Sequence, residues 1–180
     1  MKYAEFQSNN VVGSVLNVGC GGNPALIGGV HVDLDIWKYE NFIQADAHNL
    51  PFKDDAFNTV CLGDIVEHLV HPLKALLEAK RVGRRLVITI FEEWRLGKGQ
   101  HIGKGKKLYQ INDSKRLIGD MVKEFPNSII PHTAHINQFT DKSVTNLIVR
   151  LRMNILKFEK ILSAEHEGHK CYNWLICLEK

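Results

Sequence analysis

Short apolar runs punctuate the first half of the chain, and four of them close on a glycine or an acid. Residues 15–18 (VLNV) end at Gly19, and 30–34 (VHVDL) close on acidic residues. Residues 42–45 (FIQA) end at Asp46, and 57–62 (FNTVCL) end at Gly63 and Asp64. A fifth run, 86–91 (LVITIF), contains no charged residue. Runs of about 4–6 apolar residues are typical of strands buried on both faces of a parallel sheet. Elsewhere the period changes. Residues 72–82 set Leu73, Leu76 and Leu77 on one face, begin with Pro72 and stop at Gly83, which predicts a helix. A second helix is expected at 114–125, where Leu117, Ile118, Met121, Val122 and Phe125 form a stripe behind Asp113 as a cap. A third is expected at 141–151, after Thr140, with Val144, Leu147, Ile148 and Leu151 on its apolar face. Two β-rich runs, 155–164 and 171–178, close the chain around a polar turn at Gly168. Strands joined by so short a link are antiparallel.

This order predicts an α/β fold: a Rossmann-like, doubly wound, mostly parallel seven-stranded sheet ending in an antiparallel hairpin. Only residues 22–29 separate the first two strands. A parallel crossover usually needs a dozen residues or more, so the first crossover helix is expected to be short or missing. Residues 92–139 are far longer than the loop a minimal version needs, and read as an insertion, or lid, containing one helix.

Composition narrows the class. A chain of 180 residues is expected to form one domain, 1–180. No stretch reaches the roughly 18–20 apolar residues of a membrane span, and the amino terminus lacks the apolar block of a signal peptide. Cys20, Cys61, Cys171 and Cys177 show no framework spacing and read as small buried hydrophobes, so a cytoplasmic protein without disulfides is expected. The net charge is +3, and residues 92–107, with five basic and two acidic side chains, account for it. A general nucleic-acid surface is therefore not implied. A local basic loop is, and the glycine-punctuated piece at 97–107 favours an anionic, for example phosphorylated, small-molecule acceptor. Trp94 and Tyr109 flank that piece and could stack on a flat substrate.

Residues 16–24 (LNVGCGGNP) place three glycines within four positions at the end of the first strand. A bend without Cβ atoms lets a ligand touch backbone. In open α/β sheets, ligands lie in the crevice beyond the strand ends. Asp33 or Asp35, Asp46 and Asp64 terminate the next three strands on the same rim. A carboxylate at the second strand end can accept both hydroxyls of a ribose. One at the third can accept an adenine amino group. Together they indicate a nucleoside site.

LNVGCGGNP, HVDLD and above all QADAHNLPFKDDAFNTVCLGDIVEHLVHP resemble the class I S-adenosylmethionine-dependent methyltransferases, most closely the type 11 group. The similarity covers about residues 15–91, and HINQFT (135–140) resembles a further recurring stretch. The resemblance implies S-adenosylmethionine as cofactor. It implies that Gly19, Cys20 and Gly21 lie against the methionine part and that Asp33 holds the ribose hydroxyls, with Asp35 as substitute. Asp46 would accept from the adenine amino group, and Ala47 or His48 would offer a backbone N–H to the ring. Gly63 and Asp64 would flank the sulfonium region. Two departures stand out: the trimmed first crossover, and Asn58 where an Asp is usual.

Methyl transfer is an in-line displacement, so positioning dominates and a base is an addition. Candidates for that base are Asp64, His68, His101 and His135. His132 with His135, and His166 with His169 and Cys171, have ligand-like spacing, but neither set has a second pair of ligands, and no metal is expected. Two rival readings were a non-catalytic cofactor-binding module and a nicotinamide-binding Rossmann enzyme. The latter is disfavoured because Pro24 stands at the third glycine of G-x-G-x-x-G. The acid also follows Gly21 by 12 residues, against about 20 in that motif. A nucleic-acid methyltransferase lacks support, since no Asn-Pro-Pro-Tyr-like stretch follows the fourth strand. The oligomeric state is not indicated.

Overall fold

The computed structural model describes residues 2–22, 29–92, 137, 139–166 and 169–180. The five expected parallel strands all form: β1 (Val15–Val18), β2 (Val30–Asp33), β3 (Phe42–Gln44), β4 (Phe57–Gly63) and β5 (Gly83–Phe91). The closing hairpin is β6 (Asn154–His166) and β7 (His169–Glu179). They make one seven-stranded sheet in the order β3-β2-β1-β4-β5-β7-β6. β1 to β5 pair in parallel, and β7 runs antiparallel to both β5 and β6. β1 and β2 are parallel neighbours despite the short link between them. Residues 23–28 of that link lie outside the described residues, as does the expected helix at 114–125.

Among the described residues, three α-helices flank the sheet. α1 (Lys2–Asn10) is not legible as a helical stripe, because its buried residues are Phe6, Gln7 and Asn10, of which one is apolar. α2 (Pro72–Val82) begins at proline and runs straight into β5, with Gly83 already extended at φ −125°. α3 (Asp141–Leu151) is held by a reciprocal capping box between Thr140 and Ser143. It ends at Arg152 in the left-handed region, φ +50°.

The alternation of the strands divides the core in two. Leu16, Val18, Val32, Val60, Leu62, Leu86 and Ile88 point to the α2 and α3 side, with Trp174 and Ile176 from β7. Cys61, Val87, Leu175 and Cys177 point to the other side and pack with Phe6 of α1. Cys61 and Cys177 thus behave as small hydrophobes, and burial pushes the Cys61 thiol up to about 12.

The loop between the third and fourth strands is tied down by one arginine. Arg81 of α2 donates to the carbonyls of Leu50 (3.1 Å) and Phe52 (2.8 Å) and to Asp54 Oδ1 (2.7 Å). Glu78, one turn earlier, grips Arg81 with both oxygens and accepts the Leu50 amide (2.9 Å). The loop 50–54, LPFKD, is therefore shaped by its own carbonyls bonding to α2. Asn58 takes a comparable role at the other end of the sheet, where its Oδ1 accepts the Ser14 amide (3.0 Å).

Candidate functional site

Because β1 to β4 are parallel and in register, their carboxyl ends share one edge. A cleft of about 620 Å³ opens there. It lies across β1 and β4, where the strand order reverses, the expected ligand position in a doubly wound sheet. Val18 and Val32 line its base, Leu34, Ile65 and Leu69 give it apolar surface, and Asp33, Asp46 and Asp64 bring carboxylates into it.

The glycine loop is built for close approach. Gly19 has φ +68°, and a Cβ there would stand 2.1 Å from the Ile65 side chain. Gly21 has φ +56° and nothing within 4 Å of its missing Cβ, so its backbone is open to the cleft. Both of its peptide polar groups are pinned. The Gly21 amide donates to Asp33 Oδ2 (2.8 Å), and the Gly21 carbonyl accepts from the Tyr39 hydroxyl (3.1 Å). Asp33 Oδ1 accepts the Asp35 amide (3.0 Å). Asp33 thus links the tip of β2 to the tip of β1, and each oxygen keeps a lone pair.

At the tip of β3, Asp46 Oδ1 accepts both the His48 amide (2.9 Å) and His48 Nδ1 (2.6 Å). His48 Nε2 accepts the His71 amide (3.2 Å), which leaves Nδ1 as the ring's donor to Asp46. Burial pushes the Asp46 carboxyl up, but the His48 hydrogen bonds and the nearby Lys74 charge outweigh it and hold the group below its ordinary value.

At the tip of β4, Asp64 adopts φ +48°, a left-handed conformation that Asp tolerates better than most residues. Its Oδ1 accepts from Thr89 Oγ1 (2.8 Å) and Asn173 Nδ2 (3.0 Å). The following 3-10 turn, Val66–His68, carries His68 to the cleft. Glu67 in that turn is fully buried and accepts the Phe91 amide at Oε1 (3.2 Å).

Eight of the sequence-predicted residues share the cleft wall: Gly19, Gly21, Asp33, Asp35, Asp46, Ala47, His48 and Asp64, with His68 from the base candidates. Cys20 and Gly63 do not line it. Successive residues of an extended chain face opposite sides, so Gly63 points at α1, where a Cβ would meet the Gln7 amide at 2.3 Å. Cys20 is buried beneath the loop, and burial with the nearby Asp33 charge pushes its thiol up to about 11. His101, His132 and His135 and the basic piece at 97–107 lie outside the described residues.

Three residues escaped the sequence reading. Trp37 lines the cleft, covers Gly22 with its ring, and holds Nε1 buried with no hydrogen-bond partner among the described residues. Tyr39 fixes the glycine loop, as above. Asn137 donates from Nδ2 to the Leu69 (2.6 Å) and Glu67 (3.2 Å) carbonyls and from its amide to Glu67 (2.9 Å), so it staples the rim that bears His68. Its signal was the HINQFT stretch.

Residues 29–91, from the start of β2 to the end of β5, match the family profile of a methyltransferase domain, type 11. Those residues are similar to that family, and the whole sheet has the Rossmann-like methyltransferase fold. No curated protein matches this sequence. Solved structures match its fold across nearly its whole length. A candidate methyltransferase from Bacillus halodurans C-125 is similar at TM-score 0.63 and 13% identity, covering 99% of this chain and 98% of that one. An S-adenosylmethionine-dependent methyltransferase from Methanosarcina mazei is similar at TM-score 0.59 and 16% identity, covering 97% and 96%. The [4+2]-cyclase SpnF is similar at TM-score 0.66 and 14% identity, covering 99% and 80%. Likeness at such identities establishes the fold alone, and the cyclase shows that one fold hosts different reactions.

Proposed function

We propose that this chain transfers a methyl group from S-adenosylmethionine to a small acceptor. The observation that carries the reading is the meeting of Gly19, Gly21, Asp33, Asp46 and Asp64 in one cleft at the carboxyl edge of the parallel strands. The residues fit a nucleoside with a charged tail. Gly21 presents bare backbone, and Trp37 Nε1 is a buried donor awaiting an acceptor. Asp33 keeps lone pairs for a ribose diol. Asp46 Oδ1 is occupied by His48, which leaves Oδ2 for an adenine amino group. The His48 amide is spent on Asp46, so Ala47 is the residue whose amide serves the ring.

Bound here, the cofactor supplies an electrophilic methyl on sulfur. The chain holds the two reactants in line and keeps water out. Asp64, oriented by Thr89 and Asn173, faces the sulfonium side, and Leu34 and Ile65 offer apolar surface to the purine. Asp64 and His68 are the candidate bases that line the cleft. The basic stretch at 97–107 supports an anionic acceptor, and the cysteine usage supports a reducing, cytoplasmic setting.

Calorimetry with S-adenosylhomocysteine and with NAD tests the cofactor. Binding of the first and not the second is expected, and the reverse overturns the reading. Transfer of labelled methyl across a panel of phosphorylated and neutral acceptors tests the reaction. Tight binding without turnover on any acceptor would instead support a non-catalytic cofactor-binding module.

A further inference from the structure

Among the described residues, the strand β6 forms one edge of the sheet and pairs on one side only, with β7. It is 13 residues long, where strands usually have about 5–6. Every side chain from Asn154 to Lys160 is exposed. Four large apolar residues are among the exposed ones on this strand: Ile155, Leu156, Phe158 and Leu162, at 42 to 56%. Such an edge presents a row of backbone N–H and C=O groups that template another strand. Natural edges are blunted by proline, by bulges or by charge. β6 contains no proline. Its two irregularities, at Ile155/Lys157 and Leu162/Ala164, bracket a regular stretch rather than interrupt it.

The charges in that stretch are self-complementary. Lys157 pairs with Cys177 and Glu159 with Leu175, which puts both on the α1 side of the sheet. Phe158 pairs with Ile176 and lies on the opposite side. We propose that β6 is a dimerisation edge, pairing antiparallel with β6 of a second copy in a register centred on Phe158. In that register Lys157 faces the partner's Glu159, and Glu159 faces the partner's Lys157. The two phenyl rings meet on the other face. Shifting the centre to Lys157 or to Glu159 sets like charges directly opposite each other, which destabilises a strand pair. Lys160 adds no repulsion at the seam, since it is held by Glu92 and Asp141, both at 2.9 Å. The proposal is independent of the cofactor reading.

Light scattering and sedimentation of the full chain across a wide concentration range provide the test. A concentration-dependent dimer is expected. Lys157→Glu alone, or Glu159→Lys alone, creates two like-charge pairs across the seam and is expected to raise the dimer dissociation constant by about tenfold or more. The combined K157E/E159K chain re-forms both pairs with reversed polarity and is expected to recover association. Circular dichroism and thermal melts confirm that the variants are folded. A monomer at all concentrations overturns the proposal, as does a dimer indifferent to the single reversals or a double variant that fails to recover. A monomer whose β6 amides resist hydrogen exchange also overturns it, because another segment then covers the edge.

Discussion

Replacing Asp33 by Asn is the most informative perturbation of the cleft. The side chain changes by one atom and keeps its volume, so packing against Val18 and Val32 is preserved. The carboxylate accepts two backbone N–H groups, from Gly21 at 2.8 Å and from Asp35 at 3.0 Å. An amide has one acceptor oxygen and one NH2, so one of those two donors then faces another donor. A hydrogen bond to a charged group is worth about 1.5–3 kcal/mol, and an unsatisfied partly buried donor costs about 1–3 kcal/mol. Part of that cost falls on the free protein, since Gly21 loses its tether. The rest falls on binding, because the ribose hydroxyls lose a charged acceptor and the loop must be ordered by the ligand. S-adenosylhomocysteine affinity is therefore expected to fall roughly 10- to 100-fold. The melting temperature should fall by a few degrees, as expected for a loss of about 1 kcal/mol in a domain of this size.

Titration calorimetry reads the affinity, and Asp35→Asn is the control. Asp35 lines the same cleft two residues later. The Gly21 amide bonds to Asp33 and not to Asp35. The expected pattern is a large effect at Asp33 and a small one at Asp35. Equal affinity for wild type and Asp33→Asn would refute the reasoning. A larger loss at Asp35 would show that the ribose is held two residues further along, and that Asp33 serves the loop alone.

Three further outcomes are expected. Tyr39→Phe removes the donor to the Gly21 carbonyl and should weaken S-adenosylhomocysteine about three- to tenfold with little change in fold, read by the same calorimetry. Glu78 is held below its ordinary 4.5 by its hydrogen bonds to Arg81, against the opposing effect of burial, with help from the Leu50 amide. A depressed folded value means the stabilisation is complete above that ordinary value and disappears as pH falls through the folded one. Glu78→Gln should therefore be less stable than wild type near neutrality, with the two acid-unfolding curves converging below pH 4.5; a constant gap would contradict it. Lys160→Met removes two ion pairs and a cation held 4.7 Å from the Trp174 ring, and is expected to cost about 1 kcal/mol in chemical denaturation, since exposure screens the charges.

The parts of this fold that the sequence displays are those whose two faces are both apolar. β1, β4 and β5 read as mostly apolar runs because α1 covers one side and α2 with α3 the other. The beginning of β5 was hidden because Arg84 and Arg85 precede that run, and Arg85 is paired with Glu179 across the sheet at 2.6 Å. α1 was hidden because its buried face is mostly amide side chains. Asn10 donates to the Phe6 carbonyl, which satisfies a polar group that hydropathy counts as exposed. Arg81, Tyr39 and Asn137 share a different kind of invisibility. Each acts by donating to backbone carbonyls, and a carbonyl leaves no trace in the amino-acid code. The motif LPF-x-D is recognisable, but its cause, Arg81 reaching the Leu50 and Phe52 carbonyls, lies about thirty residues away.

The same geometry explains which residues of the motifs meet at the cleft and which do not. Parallel pairing fixes the strand tips on one rim, since Val18 lies beside Val32 and Leu62, and Asp33 beside Gln44. Residues just past those tips must then share the cleft, whatever the loops do. Within a motif, however, alternation sends neighbours to opposite sides. Asp64 reaches the cleft only because its backbone turns left-handed after Gly63, while Gly63 itself is packed on Gln7. A bulkier residue at 63 would push on α1 rather than on the ligand. The glycine there is accordingly a packing requirement of the amino-terminal helix, and the adjacent Asp is the residue that lines the cleft.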